Sequence, residues 1–317
     1  MKILFISLGC DKNLADSEEM LGLLTGNGHE IVDSEEEADA IVINTCCFIH
    51  DAKEESVNTI LEMAEYKKTG TCKILIVTGC MAQRYKEEIT KEIPEVDAVL
   101  GTTSYGDIVK ALNEAEAGHV FQEFKDINAL PEDSGRRVIT TGGHFGYLKI
   151  AEGCDKHCTY CIIPSLRGKF RSVPEERLLK QAEYMASQGV RELILVAQET
   201  TVYGTDLYGK KTLHILLKKL CQIKGIRWIR VLYCYPEEIY DELIQVMKEE
   251  KKICHYLDLP IQHASDRILK RMGRSTTCRN HYQAAQRDTG YRSQDIPYHR
   301  LSGRNRRRPS GTDGICR

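Results

Sequence analysis

The sequence predicts an α/β protein in which an open, doubly wound parallel sheet is followed by a second set of strand–helix units, a full or partial parallel (β/α) barrel. Two observations carry this prediction. Short apolar runs alternate with amphipathic helical stretches over most of the first 277 residues, the pattern of parallel strands joined by crossover helices. A cysteine or a polar residue stands just past most of the apolar runs, where such folds place ligand-binding groups. The length of 317 residues agrees with two domains at about 100 to 200 residues each.

Taken in order, the apolar run Ile3 to Leu8 reads as a strand ending at Gly9-Cys10, and Asp16 to Thr25 as a helix closed by Gly26 and Gly28. Ala40 to Asn44 is a strand ending at Thr45-Cys46, and Asp51 to Lys68 a helix closed by Gly70. Lys73 to Thr78 is a strand ending at Gly79-Cys80, with a helix from Gln83 to Ile93 stopped by Pro94. A short strand, Ala98 to Leu100, and a helix, Tyr105 to Ala117, complete a first domain over residues 1–118. Residues 119–143, with Pro131, Gly135 and Gly142-Gly143, read as a linker. The second domain, 144–277, begins with a strand at Tyr147 to Ala151 that leads into a cysteine loop, then a helix at Pro174 to Gly189 and a strand at Glu192 to Ala197. It continues with helices Thr212 to Ile223 and Pro236 to Lys251, strands Trp228 to Tyr233 and Tyr256 to Leu259, and a helix start at Ser265.

Composition narrows the function classes. Hydrophobic residues at 42% and charged residues at 28% are ordinary globular values. No run approaches the roughly 18 to 20 apolar residues of a membrane span, and the first ten residues lack a signal-peptide cleavage site. A cytoplasmic protein without membrane attachment is expected. Its thirteen cysteines then cannot be counted as disulfides and must be buried thiols, metal ligands or redox groups.

Cys154, Cys158 and Cys161 stand at C-x3-C-x2-C spacing just after a strand. Three thiolates so close on one loop can hold three corners of an iron–sulfur cluster and leave the fourth iron open to a substrate. A zinc knuckle is the alternative, with His157 as fourth ligand. Cys10, Cys46 and Cys80 are far apart in sequence, yet each ends a predicted parallel strand, and strand carboxyl ends converge on one crevice. They could hold a second open cluster; three buried structural cysteines are the alternative. Cys47 should point away from Cys46 along an extended chain, and Cys72, Cys221, Cys234 and Cys254 read as small buried hydrophobes.

Taken together, Leu8-Gly9-Cys10-Asp11-Lys12-Asn13 with Asp16-Ser17-Glu18, Asn44-Thr45-Cys46, Gly79-Cys80-Met81-Ala82-Gln83-Arg84-Tyr85 and the later cysteine triplet, with Tyr160 before its last member, resemble the radical S-adenosylmethionine (SAM) methylthiotransferase family. The likeness covers residues 1 to about 277. Ala52 to Ser56, Ile150 to Cys154, Val196 to Thr201, Tyr235-Pro236 and Gln262 to Asp266 resemble its ribosomal-protein branch more than its tRNA branch.

The resemblance implies a transferase that adds a methylthio group to the β-carbon of an aspartate in small-subunit ribosomal protein uS12, using two 4Fe-4S clusters and SAM in a radical SAM barrel. The catalytic cluster would sit on Cys154, Cys158 and Cys161, cleaving SAM to a 5′-deoxyadenosyl radical. The cluster on Cys10, Cys46 and Cys80 would deliver sulfur. Tyr160, Gln198, Glu199 and Gln262 are candidate SAM contacts; Tyr233, Tyr235 and His263 lie at similar strand ends. Arg167 and Arg171 are candidates for carboxylate or substrate contacts, and Val173 stands where the family commonly has arginine. An electron donor such as flavodoxin is the expected partner besides uS12, with no direct nucleic-acid contact. The competing readings are tRNA adenosine methylthiolation and, in another class, a non-catalytic iron–sulfur carrier or scaffold.

The net charge of −2 hides two populations. Residues 278–317 hold nine arginines and three aspartates but no lysine or glutamate, so the tail is +6 and the rest −8. One reading is a basic arm that binds RNA. The preferred one is a reading-frame shift: codons exist for which a one-nucleotide shift yields Ile-Pro-Asp-Ile-Ala-Leu across Asp288 to Ser293 and Gly-Phe-Pro-Gly-Glu-Thr-Glu-Glu-Asp across Arg300 to Arg308. Those are segments the family places next. The expectation is an incomplete barrel and a truncated copy with impaired activity.

Overall fold

The computed structural model describes residues 1–132, 135–277 and 279–280; the rest of the anomalous tail lies outside the described residues. The first unit runs β1 (Lys2–Ser7), α1 (Asp11–Gly26), β2 (Glu30–Val32), β3 (Ala40–Thr45), α2 (His50–Thr69), β4 (Ile74–Gly79), α3 (Cys80–Tyr85), α4 (Glu87–Glu92), β5 (Ala98–Leu100), a 3-10 turn at Tyr105–Asp107, α5 (Ile108–Glu116) and β6 (Phe121–Glu123). Its six strands are all parallel, in the order β2-β1-β3-β4-β5-β6.

The central strands β3 and β4 are buried at every position, which their unbroken apolar runs require when helices cover both faces. Alternation divides their side chains. Ile41, Ile43, Leu75 and Val77 enter one core with α2, while Ala40, Val42, Ile74 and Ile76 enter the other with α1 and α5. Each fully buried Ile or Val of this set contributes about 1.5–3 kcal/mol. The chain order reverses between β1 and β3, and such a switch point opens a crevice outside the strands' carboxyl ends.

The second unit comprises β7 (Phe145–Lys149), β8 (Ala151–Glu152), α6 (Ile163–Arg167), β9 (Arg171–Ser172), α7 (Glu175–Ser187), β10 (Glu192–Val196), α8 (Thr205–Tyr208), α9 (Leu213–Cys221), β11 (Trp228–Val231), a 3-10 turn at Pro236–Glu238, α10 (Asp241–Glu249), β12 (Ile253–Leu257) and α11 (Asp266–Arg271). Among the described residues it forms a four-stranded parallel sheet, β7-β10-β11-β12, with the pair β8-β9 beside it. This is part of a (β/α) barrel, as expected.

Several elements differ from the sequence reading. The helix expected at Gln83–Ile93 begins at Cys80 and is divided at Lys86, whose φ of +45° interrupts it. The helix α1 starts five residues early, at Asp11. Its first turns bury polar side chains against the second unit, so apolar periodicity does not report them. The three-residue strands β2 and β6 lie at the two sheet edges, too short and too polar for alternation to reveal. Phe121–Glu123 falls inside the segment expected to be linker, yet pairs with β5. The helix expected from Pro236 is a 3-10 turn and then α10, because Ile239 and Tyr240 are extended between them.

Candidate active site

Cys10, Cys46 and Cys80 follow β1, β3 and β4, three adjacent strands at the switch point. Gly9 and Gly79 explain how close these loops come. Both adopt positive φ, and a Cβ on Gly9 would lie 2.7 Å from Cys46 Cβ. A side chain there would collide with the next loop, so glycine lets the backbones approach. Cys46 and Cys80 are buried and Cys10 is exposed. Burial pushes the Cys80 thiol up to about 12, and the charges of Cys10 and Cys46 push the same way while Arg167 opposes them. Cys46 is raised by burial and by Cys10. The three thiols are thus near enough to act on one another, as the strand-end reading requires. Cys47 turns aside, donating its thiol to the Cys80 carbonyl at 3.3 Å inside the core.

The second triad lies in the loop between β8 and α6. Cys154 and Cys158 are buried and Cys161 half-buried. Burial raises Cys154 to about 11, with Glu199, Cys161 and Cys158 adding to it. The Lys156 amide faces Cys154 Sγ at 3.4 Å, and Arg274 Nη1 lies 3.9 Å from Cys158 Sγ. Arg274 also donates to the Pro260 carbonyl at 2.8 Å and stacks over Tyr235 at 4.3 Å. The Thr159 amide donates to the Met272 carbonyl at 3.0 Å, so the turn after α11 braces this loop.

Among the described residues no three His, Cys, Asp or Glu side chains close on a single ion. Two triads of largely buried thiols that do not close on a single ion fit a multi-iron cluster better than a zinc knuckle. His157 is exposed on its loop. Burial raises the thiols of Cys46, Cys80, Cys154 and Cys161, so metal binding there must displace their protons, which suits ligands rather than free nucleophiles.

Gln198 and Glu199 lie just past β10, and the charge of Glu199 acts on Cys154 of the second triad. Gln198 Nε2 donates to Glu152 Oε1 at 3.0 Å while its own Oε1 is buried without a partner. Glu199 is 2% exposed; its Oε1 accepts from the Thr201 amide at 3.1 Å, and its Oε2 is also buried without a partner. Desolvation lifts Glu199 to about 7. Two orphaned acceptors on adjacent residues past β10 fit a ligand bearing ammonium or hydroxyl donors, the groups SAM carries.

Other candidates are placed differently. Tyr160 is half exposed beside the loop, and Gln262 is exposed with φ +63°. His263 accepts from the Ser265 amide at 2.9 Å and so organises the start of α11. Tyr233, at φ +58°, reaches across to the first unit: its hydroxyl donates to Asp11 Oδ1 at 3.0 Å and Lys12 Nζ lies 3.4 Å above its ring. A bulky residue held at positive φ is strained backbone, characteristic of functional sites. Arg171 turns to the carbonyls of Arg167 and Lys169 at 3.0 and 2.5 Å. Val173 is buried in the barrel core.

Sequence reasoning missed the buried polar seam between the two units. Arg137 forks onto Glu18 at 2.8 and 2.5 Å. Lys149 pairs with Asp16 and, at 2.9 Å, with Glu152. Arg167, expected only to meet carboxylates or substrate, is fully buried and binds Asp16 at 2.7 Å, Glu152 at 3.2 Å and Asn13 at 3.0 Å. Arg274 was also missed; nothing in its local sequence sets it apart.

A parallel half-barrel carrying a three-cysteine loop defines a radical SAM protein, and the model of the Radical SAM superfamily matches residues 148–293. Residues 2–101 match Uncharacterized protein family UPF0004. The chain is 68% identical over 276 residues to "Ribosomal protein uS12 methylthiotransferase RimO" of Lachnoclostridium phytofermentans, covering 87% of this chain and 63% of that protein. It is 53% identical over 277 residues to the protein of the same description from Clostridioides difficile, covering 87% and 62%. The chain therefore spans less than two thirds of the length of these relatives. Among solved structures, TsrM from Kitasatospora setae, a radical S-adenosylmethionine methyltransferase with cobalamin and a [4Fe-4S] cluster, aligns with a TM-score of 0.61 at 10% identity, covering 90% of this chain and 64% of that one. The cobalamin-dependent S-adenosylmethionine radical enzyme OxsB gives 0.59 at 15% identity, covering 90% and 47%. Both share the fold.

Proposed function

We propose that this chain is a radical SAM methylthiotransferase acting on the β-carbon of an aspartate in ribosomal protein uS12. The observation that carries the reading is the pairing of two cysteine triads on adjoining parallel sheets, in a chain 68% identical to a protein described as a uS12 methylthiotransferase. In this reading residues 1–118 form the domain of the second cluster, 119–143 a connector whose β6 joins that domain's sheet, and 144–277 the radical SAM domain.

Cys154, Cys158 and Cys161 would hold one 4Fe-4S cluster with SAM, and Cys10, Cys46 and Cys80 a second. Bound there, these groups supply the electron, the radical chemistry and the sulfur that no side chain can provide for attack on an unactivated C–H bond. The chain's own contribution is positioning. Gln198 and Glu199 offer buried acceptors to SAM, and Tyr160 and Gln262 lie at the rim where SAM or substrate passes. The contacts of Tyr233 with Asp11 and Lys12 hold the two strand-end crevices against each other. A flavodoxin-like donor in the cytoplasm would deliver electrons.

Anaerobic reconstitution, iron counting, a SAM-cleavage assay and mass analysis of uS12 test the proposal together. A mass gain on the target aspartate, with deoxyadenosine released, is the expected result. Clusters without deoxyadenosine would mark a carrier or scaffold, and a modified tRNA with unmodified uS12 would move the chain to the other branch.

A further inference from the structure

We propose that Arg167, contributed by the radical SAM unit, is a positioning residue for the other metal site, the triad Cys10, Cys46 and Cys80. In this role its guanidinium ties the three thiol-bearing loops together and supplies the fixed positive charge next to them. The inference rests on the cluster reading of that triad given above.

Arg167 closes α6, only six positions past Cys161, yet its side chain points into the first unit and is 2% exposed. Its Nη2 donates to Asn13 Oδ1 at 3.0 Å. Asn13 in turn donates through Nδ2 to the Leu8 carbonyl at 2.6 Å and to the Thr45 carbonyl at 3.3 Å. Leu8 precedes Cys10 by two residues and Thr45 precedes Cys46 by one, so a single relay links Arg167 to two of the three loops. The third is reached through the residue beside Arg167, and the charge of Arg167 acts on the Cys80 thiol. Leu166, beside it, packs in one core with Cys80 and Met81, and its carbonyl accepts from Thr102 Oγ1 at 2.7 Å.

The charge balance explains why a cation is needed there. Arg167 and Lys149 face the carboxylates of Asp16 and Glu152, which leaves that cluster of four neutral before any cysteine ionises. Thiolates that ligate iron add negative charge beside it, and Arg167 is a cation whose charge acts on Cys80. A fixed positive charge at short range favours the more negative, reduced state of a nearby redox centre. Lysine at this position keeps the positive charge and a donor for Asn13 or Asp16, whereas methionine keeps only the bulk.

The test uses the full chain with Cys154, Cys158 and Cys161 changed to Ala, so that iron can assemble only on the first triad. Iron and sulfide per chain, and the midpoint potential from a dye-mediated titration followed by electron paramagnetic resonance, are measured for this parent, for Arg167→Met and for Arg167→Lys. Two results support the proposal. In one, Arg167→Met retains the cluster but its reduced fraction at a fixed potential falls about tenfold or more, with Arg167→Lys restoring it. In the other, Arg167→Met loses iron while Arg167→Lys retains it. Two results overturn it: Arg167→Met matching the parent in both iron and potential, or Arg167→Lys as impaired as Arg167→Met in both, which would reduce the residue to general packing. A parent that binds no iron would instead refute the cluster reading of the first triad.

Discussion

The two cysteine triads are gathered by opposite routes. Cys154, Cys158 and Cys161 lie within one loop, so their grouping is a local property of eight consecutive residues, braced afterwards by Arg274 and the turn after α11. Cys10, Cys46 and Cys80 are grouped only because β1, β3 and β4 are neighbours in a parallel sheet. The first arrangement survives rearrangement elsewhere in the chain. The second depends on the register of a whole sheet and on a seam of buried charge contributed by the other unit.

That contrast can be broken most sharply at the cysteines. Cys158→Ala should abolish deoxyadenosine release while leaving iron on the first triad. Cys10→Ala should leave SAM cleavage intact and remove methylthio product. Equal loss of both activities in the two variants would mean that the sites do not divide the chemistry.

The seam comes next. Arg137→Met leaves Glu18 buried without its cation, though still accepting from Thr140, and should cost about 3–5 kcal/mol of folding stability, read by denaturant unfolding. Its loss should also weaken iron retention on Cys10, Cys46 and Cys80 more than on the local triad.

Glu199 offers a pH test in metal-free protein. Burial raises its pKa from 4.5 to about 7, so between those values the folded chain keeps a proton that the unfolded chain has released. Stability present below pH 4.5 is therefore lost as pH rises through 7, by about 3 kcal/mol at most. Glu199→Gln should remove this component, so the difference between the wild-type and variant stability curves should slope across that window and flatten above it. A parallel pair of curves would show that Glu199 is ionised in the folded state.

Tyr233→Phe is the mildest change. It deletes the hydrogen bond to Asp11 and keeps the ring under Lys12, and should cost about 1 kcal/mol. If the contact serves mainly to hold the two units in register, coupling between SAM cleavage and product formation should decline more than SAM cleavage itself.

Much of the fold is legible in the order of residues. The buried strands β3 and β4 announce themselves as unbroken apolar runs, and α2, α7 and α9 as amphipathic stretches with clear ends. The edges are not legible: β2 and β6 are three residues each and become strands because a neighbouring strand supplies their hydrogen bonds. The interior division at Lys86 is equally hidden, since its local sequence favours a continuous helix. At the site, the C-x3-C-x2-C loop follows from spacing and the first triad from its shared strand-end position. The orphaned oxygens of Gln198 and Glu199 could only be guessed from where barrels place polar residues.

Alone, the sequence determined the periodicities, the order of strands and helices, and thus which residues end each strand, because these depend on neighbours a few positions apart. Only the tertiary structure decided which charges meet. Asp16 with Arg167, Glu18 with Arg137 and Asp11 with Tyr233 are pairs more than a hundred residues apart. Isolated in sequence, no member of a pair names its partner. Burial without water makes its partner obligatory, and that requirement exists only once the two sheets are packed.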